Sequence, residues 1–364
     1  MKPINSNFLK YKNIINFICN VLPARIRGKD LNSANKILIM DCHLIGDIVL
    51  LTPFLSALRT KYPNAFIALI AGPWARIILM GNYGLINEFF EFEAPWVKKN
   101  QGHRVADIIK LMYSIRCSKW DIAIEMRGDF RQILMLWLCR PRALYGLDLT
   151  GGGPLLSHLV HDDGVYRHIL DHHKNIAVAM DLIKPNATFF PNIRLSNTED
   201  IIASKINKYT GVHLGASNIL RQFEFTDSVS LIDHLLEFCD EKIIIFIAPE
   251  YLYMQQIIDH YSHLTARIEF WSGSLRDFII LLSRCNHLYC MDSAPGHIAS
   301  ALDVPASIFF GPAASEFVRP IGASIRIYEN NNLTCRPCNQ DICINVSYKK
   351  CLDGLPKRLR AINA

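Results

Sequence analysis

The feature that most restricts this chain is a rhythm that runs twice. From Lys36 onward, Lys36 to Met40, Phe66 to Ala71, Asn87 to Phe92 and Asp121 to Met126 read as strands, and segments 48–61, 74–80, 104–116 and 129–139 read as helices. Strands separated by helices need crossover connections, so they pair in parallel and build a doubly wound sheet. A looser stretch follows, with Gly151-Gly152-Gly153-Pro154, a helix through 176–183, and Pro185 and Pro191 marking a linker. After about residue 208 the rhythm resumes, with strands at Tyr209 to Leu214, Lys242 to Ile247, Arg267 to Trp271, Leu288 to Met291 and Ala306 to Phe310, and helices near 227–239, 250–261, 275–284 and 294–302. The length of 364 residues suits two such domains better than one core. Two consecutive α/β domains predict a cleft between them, with ligands at the carboxyl ends of the strands.

Charge is unevenly spread. Residues 1 to 36 hold seven cations and one anion, a net +6, so the remaining 328 residues sum to zero. Within this basic segment Phe8, Tyr11, Ile15, Ile18 and Leu22 recur at helical spacing, with Ile14 and Val21 widening the stripe. Such a helix suits an anionic membrane surface, or it packs on the first domain. Lys10, Lys12, Asn13, Asn16 and Asn20 break up any signal-peptide core, and no apolar run reaches the length of a membrane span.

Four clusters could carry chemistry. In the first, MDCHLIGDIVLLTP, a strand runs into a turn holding Gly46 and Asp47 and then into a helix, without either glycine-rich phosphate fingerprint. Asp47 either caps that helix or serves as a general base. In the second, His213-Leu214-Gly215-Ala216-Ser217-Asn218 followed by Arg221 makes a diphosphate cradle from small, hydroxylated and cationic residues. The third, Met291-Asp292-Ser293-Ala294-Pro295-Gly296-His297, opens a helix whose free N–H groups could hold phosphate while Asp292 takes sugar hydroxyls; otherwise it is another cap, with His297 filling the core.

The fourth cluster is Cys335, Cys338, Cys343 and Cys351, four cysteines within 17 residues that could hold a structural zinc ion, form disulfides or simply pack. The other cysteines, Cys42, Cys117, Cys139, Cys239, Cys285 and Cys290 among them, read as small buried hydrophobes. His158, His161, His168, His172 and His173 read as solvent-facing, or as lining the acceptor side. No D-x-D, G-x-S-x-G or H-E-x-x-H motif occurs.

Taken together, LIGDIVLLTPFLSALRTKYPNA, HLGASNILRQF, SGSLRDFIILLSRCNHLYCMDSAPGHIASALDVPASIFFGP and the closing CRPC…C…C resemble the motifs of the family 9 glycosyltransferases, the ADP-heptose:lipopolysaccharide heptosyltransferases and their relatives, in order over roughly residues 36 to 354. The resemblance implies an α/β GT-B fold, two Rossmann-like doubly wound domains facing a central cleft. It sets expected boundaries at a basic segment 1–35, an acceptor domain 36–190, a nucleotide-sugar domain 200–334 and a Cys-rich segment 335–364. By resemblance Asp47 is the base on the acceptor hydroxyl; Ser217 and Arg221 contact the diphosphate; Asp292 binds the sugar; Ser293 and Ala294 occupy the phosphate-facing helix start; and Glu250 contacts the ribose, while Gly46 and His297 are counted with the substrate-binding residues.

Phe223 stands where the family usually carries Trp, Glu224 where Pro is common, and Ala294 where Gly is common. The implied reaction is an inverting transfer of a heptose or related sugar from an ADP-sugar to a lipopolysaccharide-core or similar acceptor, with no metal required. The implied setting is the inner face of a bacterial inner membrane, with a nucleotide sugar and a lipid-linked oligosaccharide as partners and no nucleic acid. The competing expectations are the same fold acting with another nucleotide sugar on another acceptor, and a non-catalytic sugar-nucleotide binding protein. A nicotinamide-dependent enzyme is disfavoured by the missing glycine fingerprint.

Overall fold

A computed structural model describes residues 6–22, 33–97, 105–161, 168–247, 254–338, 340 and 342–359. The chain divides into two compact units, Lys2–Pro191 and Asn192–Ala364. In the first, strands β1 (Lys36–Met40), β2 (Phe66–Ala71), β3 (Glu88–Glu91), β4 (Ile122–Glu125), β5 (Ala143–Leu147) and β6 (His158–Val160) alternate with helices α1 (Ser6–Asn20), α2 (Ile45–Lys61), α3 (Trp74–Ile78), α4 (Val105–Arg116), α5 (Phe130–Leu138) and α6 (Ile169–Ala179). All strand pairs are parallel, in the order β3-β2-β1-β4-β5-β6.

The second unit repeats the plan with β7 (Tyr209–His213), β8 (Ile243–Phe246), β9 (Ile268–Trp271), β10 (Cys285–Met291), β11 (Ala306–Phe310) and β12 (Ile325–Glu329), and helices α7 (Asn197–Ser204), α8 (Phe225–Phe238), α9 (Met254–Tyr261), α10 (Leu275–Leu282), α11 (Ala294–Ala301) and α12 (Ser315–Val318). Its order, β12-β11-β10-β7-β8-β9, is the first sheet's order counted from its own first strand. This is the Rossmann arrangement, in which the chain reverses direction across the sheet between strands one and four, and a ligand crevice opens at the carboxyl ends there.

Central strands read as continuous apolar runs because helices cover both faces. In KILIM the last four residues are buried, and Ile37 is paired with Ile67 on one side and Ile122 on the other. Each unit closes its own core. Leu38, Met40, Ala68, Trp120 and Ile133 anchor the first, and Val212, Leu231, Ile243, Met291 and Phe309 the second.

Several expectations need correction. The looser stretch contains two strands, β5 and β6, and the helix expected over 176–183 is α6, which begins at Ile169 behind His168. His168 caps α6 through its ring and is buried with His173, which is fully inaccessible, so these two histidines are not solvent-facing. Of the dispersed cysteines, Cys42, Cys139, Cys285 and Cys290 are buried as expected, Cys239 is half-buried and Cys117 is exposed. Burial raises the thiol pKa of the four buried ones, which keeps them protonated and inert.

Candidate active site

In the first unit the crevice position lies between β1 and β4. The chain leaves β1 through Asp41, Cys42 and His43, and Leu44 is the N-cap residue of α2, so Gly46 and Asp47 fall in its first turn. Asp47 divides its two oxygens. Oδ2 accepts the Leu44 backbone N–H at 3.0 Å, and Oδ1 accepts Arg127 Nη1 at 2.7 Å. Capping and a second partnership are therefore both present. The Asp47 and Arg127 side chains remain 14% and 18% exposed, a pair at the carboxyl end of the sheet. Thr52, by contrast, is buried with its hydroxyl on the Val49 carbonyl.

Arg127 enters from the loop after β4, where the buried Glu125 carboxylate takes the backbone N–H groups of Arg127, Gly128 and Asp129. Burial, and then the neighbouring Asp129, raise the Glu125 pKa well above the usual carboxylate range, although these three N–H groups pull against the shift. Burial also works against the Arg127 charge, but Asp47, Asp41 and Glu125 more than offset it, and the guanidinium holds its proton more firmly than usual. Behind them His173 sits 4.0 Å from Asp41, and burial lowers its pKa to about 4 despite that carboxylate.

In the second unit the equivalent position lies between β7 and β10, and two of the expected residues meet there. Arg221 Nη1 stands 3.4 Å from Asp292 Oδ2. Asp292 is 4% exposed, and burial raises its pKa against the pull of Arg221 and Arg336. Ser217 is exposed on the loop after β7, where Asn218 caps the short turn leading to Arg221. Ser293 precedes α11 but turns its hydroxyl back to the Met291 carbonyl, so it does not cap the helix. Ala294 is half-buried at the first position of α11, and His297 is buried within the helix. Gly296 lets α11 approach the sheet, since a Cβ there would meet Ile308 Cδ1 at 2.8 Å. Glu250 lies outside the described residues.

Cys335, Cys338, Cys343 and Cys351 line one apolar pocket with Leu220 and Pro312, and none forms a disulfide. Two sulfurs accept N–H groups, Cys335 from the Asn345 side chain and Cys343 from Lys349. Burial, then Cys338 and Cys343 nearby, push the Cys351 thiol up to about 11. A soft metal suits this donor set chemically, but among the described residues no three His, Cys, Asp or Glu side chains are grouped to share an ion. The segment also grips the Arg221 loop. Gln340 takes Arg221 Nε on its side-chain oxygen at 2.5 Å and Asn218 Nδ2 on its carbonyl at 2.9 Å, while Lys349 donates to the Gln222 carbonyl.

The chain matches glycosyltransferase family 9 (heptosyltransferase) over residues 108–349, about two thirds of its length. It belongs to that family. Among family 9 relatives, lipopolysaccharide heptosyltransferase 2 of Salmonella typhimurium is 22% identical over 323 residues, covering 80% of this chain and 87% of the relative. The structure of Escherichia coli ADP-heptose LPS heptosyltransferase II superposes with a TM-score of 0.69 at 19% identity, over 90% of this chain and 97% of that one. E. coli heptosyltransferase WaaC with ADP gives 0.67 at 14%, over 90% and 100%. The chain is thus a glycosyltransferase with the GT-B fold.

Arg127, Glu125, Asp41 and Gln340 escaped the sequence reading. The first three flank β1 and β4, which pair in this sheet; once β4 is placed beside β1, the run Glu125-Met126-Arg127-Gly128-Asp129 is the place to look. Gln340 carries no comparable signal, because its partner lies 119 residues away.

Proposed function

We propose that this protein transfers a heptose from ADP-heptose, with inversion, to a lipid-linked acceptor of the lipopolysaccharide-core type. Family membership supports the heptosyl transfer, and the names of the relatives supply the donor and acceptor class. The observation that carries the catalytic part is Asp47, a partly accessible carboxylate at the carboxyl edge of the first sheet with one oxygen on Arg127. In this reading the acceptor hydroxyl gives its proton to Asp47 as its oxygen bonds to the anomeric carbon. The bond from that carbon to the diphosphate breaks on the opposite face, and ADP departs with the electron pair.

On the donor side, Arg221 and the N–H groups opening α11 meet the growing diphosphate charge, while Asp292 orients sugar hydroxyls. No divalent ion is needed for that charge balance. Arg221 then exchanges Asp292 for phosphate oxygens as the donor binds. The reaction belongs at the inner face of the bacterial inner membrane; among the described residues no helix is long and apolar enough to cross one.

The test is ADP release and product mass with ADP-heptose and a lipid-linked core acceptor. Asp47→Ala should lower kcat roughly 10²- to 10⁴-fold while leaving ADP affinity unchanged. Full turnover by that variant would remove Asp47 from the chemistry. Turnover with a different nucleotide sugar, and none with ADP-heptose, would reassign the donor.

A further inference from the structure

We propose that the outer face of α1 is a docking surface for an anionic lipid bilayer, and that the inner face of the same helix ties the Asp47-bearing edge of the first sheet to that surface. This deepens the function proposed above, since a lipid-linked acceptor is presented at such a surface.

The helix has two faces with different work. Lys12, Ile15, Asn16 and Cys19 turn inward at helical spacing. Asn16 is held at both ends of its amide, Nδ2 donating to Asp148 Oδ2 at 2.8 Å and Oδ1 accepting the Gly152 N–H at 2.7 Å. Lys12 hydrogen-bonds the Asp148 carbonyl and stands 3.6 Å from its carboxylate. Ile15 lies over Gly151, where φ is +113° and a Cβ would sit 2.8 Å from Ile15 Cγ2, so only glycine admits the helix this closely. Cys19 completes the contact in the core.

The opposite face is open and mostly apolar, with exposed Asn13 and Asn20 set among its apolar residues. Phe17 is 76% exposed, with Tyr11, Ile14 and Ile18 also exposed beside it, and Val21 (80%) and Leu22 are exposed in the turn just past the helix. A helix already docked by one face would ordinarily turn polar residues outward. This one continues the apolar stripe, within a segment 1–36 that carries all of the chain's net +6. That charge selects the occupant. Lys12 and Lys36 are engaged elsewhere, with Asp148 and the Ser118 carbonyl, but the segment as a whole stays cationic, so a second copy would bring like charge against like, whereas an anionic bilayer supplies the complement, each cation near its surface contributing about 1 kcal/mol. At 15 residues the helix is too short to span a membrane, so it lies in the interface plane.

The inner contacts lead to the candidate base. The loop that α1 holds leaves the carboxyl end of β5, and its Thr150 donates both N–H and hydroxyl to the Gly128 carbonyl, at 3.0 and 3.1 Å. Gly128 follows Arg127, whose guanidinium holds Asp47. A bilayer contact on α1 therefore sets the height and tilt of the edge that carries Asp47.

The experiment is co-sedimentation of the full chain with vesicles of phosphatidylcholine alone or containing about 30% phosphatidylglycerol, with no substrate present. The chain should pellet with the anionic vesicles only, and added salt should weaken binding. The double variant Phe17→Glu/Val21→Glu, at two exposed positions, should lose at least about tenfold in partitioning while turning over a delipidated acceptor as before. Ile14→Gln/Ile18→Gln serves as a second, uncharged test. Asn16→Ala should still pellet but lose turnover of the lipid-linked acceptor relative to the delipidated one.

Wild-type pelleting unaffected by either double variant, or no pelleting with anionic vesicles, overturns the proposal. A dimer in solution that the double variant dissolves, without vesicle binding, overturns it in favour of self-association. Vesicle binding without ADP release from any donor leaves this surface standing and rejects the catalytic reading instead.

Discussion

A carboxylate has two oxygens, and Asp47 uses them for different purposes. Capping and catalysis look like alternatives in the sequence because an acid in the first turn of a helix satisfies both descriptions. The structure gives the cap to Oδ2 and leaves Oδ1 for Arg127. Asp47 was legible because strand, turn and helix follow one another locally; Arg127 was not, because their ion pair spans 80 residues and exists only once β4 lies beside β1. A charge-assisted hydrogen bond of about 1.5–3 kcal/mol corresponds to roughly 10- to 100-fold in rate. Arg127→Ala should lower kcat/KM by that amount, Arg127→Lys should recover part of it, and wild-type kinetics for Arg127→Ala would make the pair purely structural. His173 yields a separate test. Its pKa falls from 6.5 to about 4 on folding, because burial disfavours the charged ring. The unfolded chain therefore binds the proton first, and stability is lost as pH drops below 6.5 toward 4. Denaturant titrations at about pH 7 and about pH 5 should differ by about 2 kcal/mol from this group, and His173→Gln should flatten the dependence.

Elements were legible where an apolar run is unbroken and hidden where it is interrupted or short. β1, β2 and β11 are apolar along their length and covered on both faces, so composition alone marks them. β5 contains Gly146, β6 is three residues with a histidine and an exposed leucine, and β12 alternates at the sheet edge as IRIYE; each lacks the run that marks a central strand. The joints between elements carry the site. Gly128 sits at φ +65°, and a Cβ there would lie 2.5 Å from Leu149 Cγ. Gly128→Ala should cost roughly 1–3 kcal/mol in thermal unfolding and displace the Arg127 loop; an unchanged melting curve would show that the turn relaxes freely. In the second unit, Gln340 is the clamp between the Cys-rich segment and Arg221. Gln340→Ala should raise the Kd for ADP severalfold, read by calorimetry, with a smaller effect on kcat, because it frees a binding group and leaves the base in place. Equal loss in kcat and kcat/KM would contradict that role.

The two units repeat one strand order, and each has its own core and its own crossing point, yet the residues gathered there differ in kind. The first collects a carboxylate network around one arginine, Asp41, Asp47 and Glu125 about Arg127. The second sets Arg221 beside Asp292, just ahead of the opening turn of α11. On the proposed reading Asp41 and Asp47 in the first set disfavour a diphosphate, whereas Arg221 and the helix N–H groups of the second attract it. On the proposed reading donor binding is a property of one half of the chain, and hydrogen exchange with mass spectrometry on the whole protein can separate the halves. With saturating ADP, peptides covering 215–222 and 292–298 should gain protection, because a ligand at about 100 times its Kd stabilises the state it binds by about 2.7 kcal/mol. Peptides covering 41–47 and 125–130 should exchange as in the free protein, since nothing in that set of acids favours a phosphate. Protection confined to 41–47 would reverse the assignment of the two units. The sequence motifs at Asp47 and Asp292 would then have been read on the wrong halves, and Arg127, not Arg221, would be the cation that meets the diphosphate.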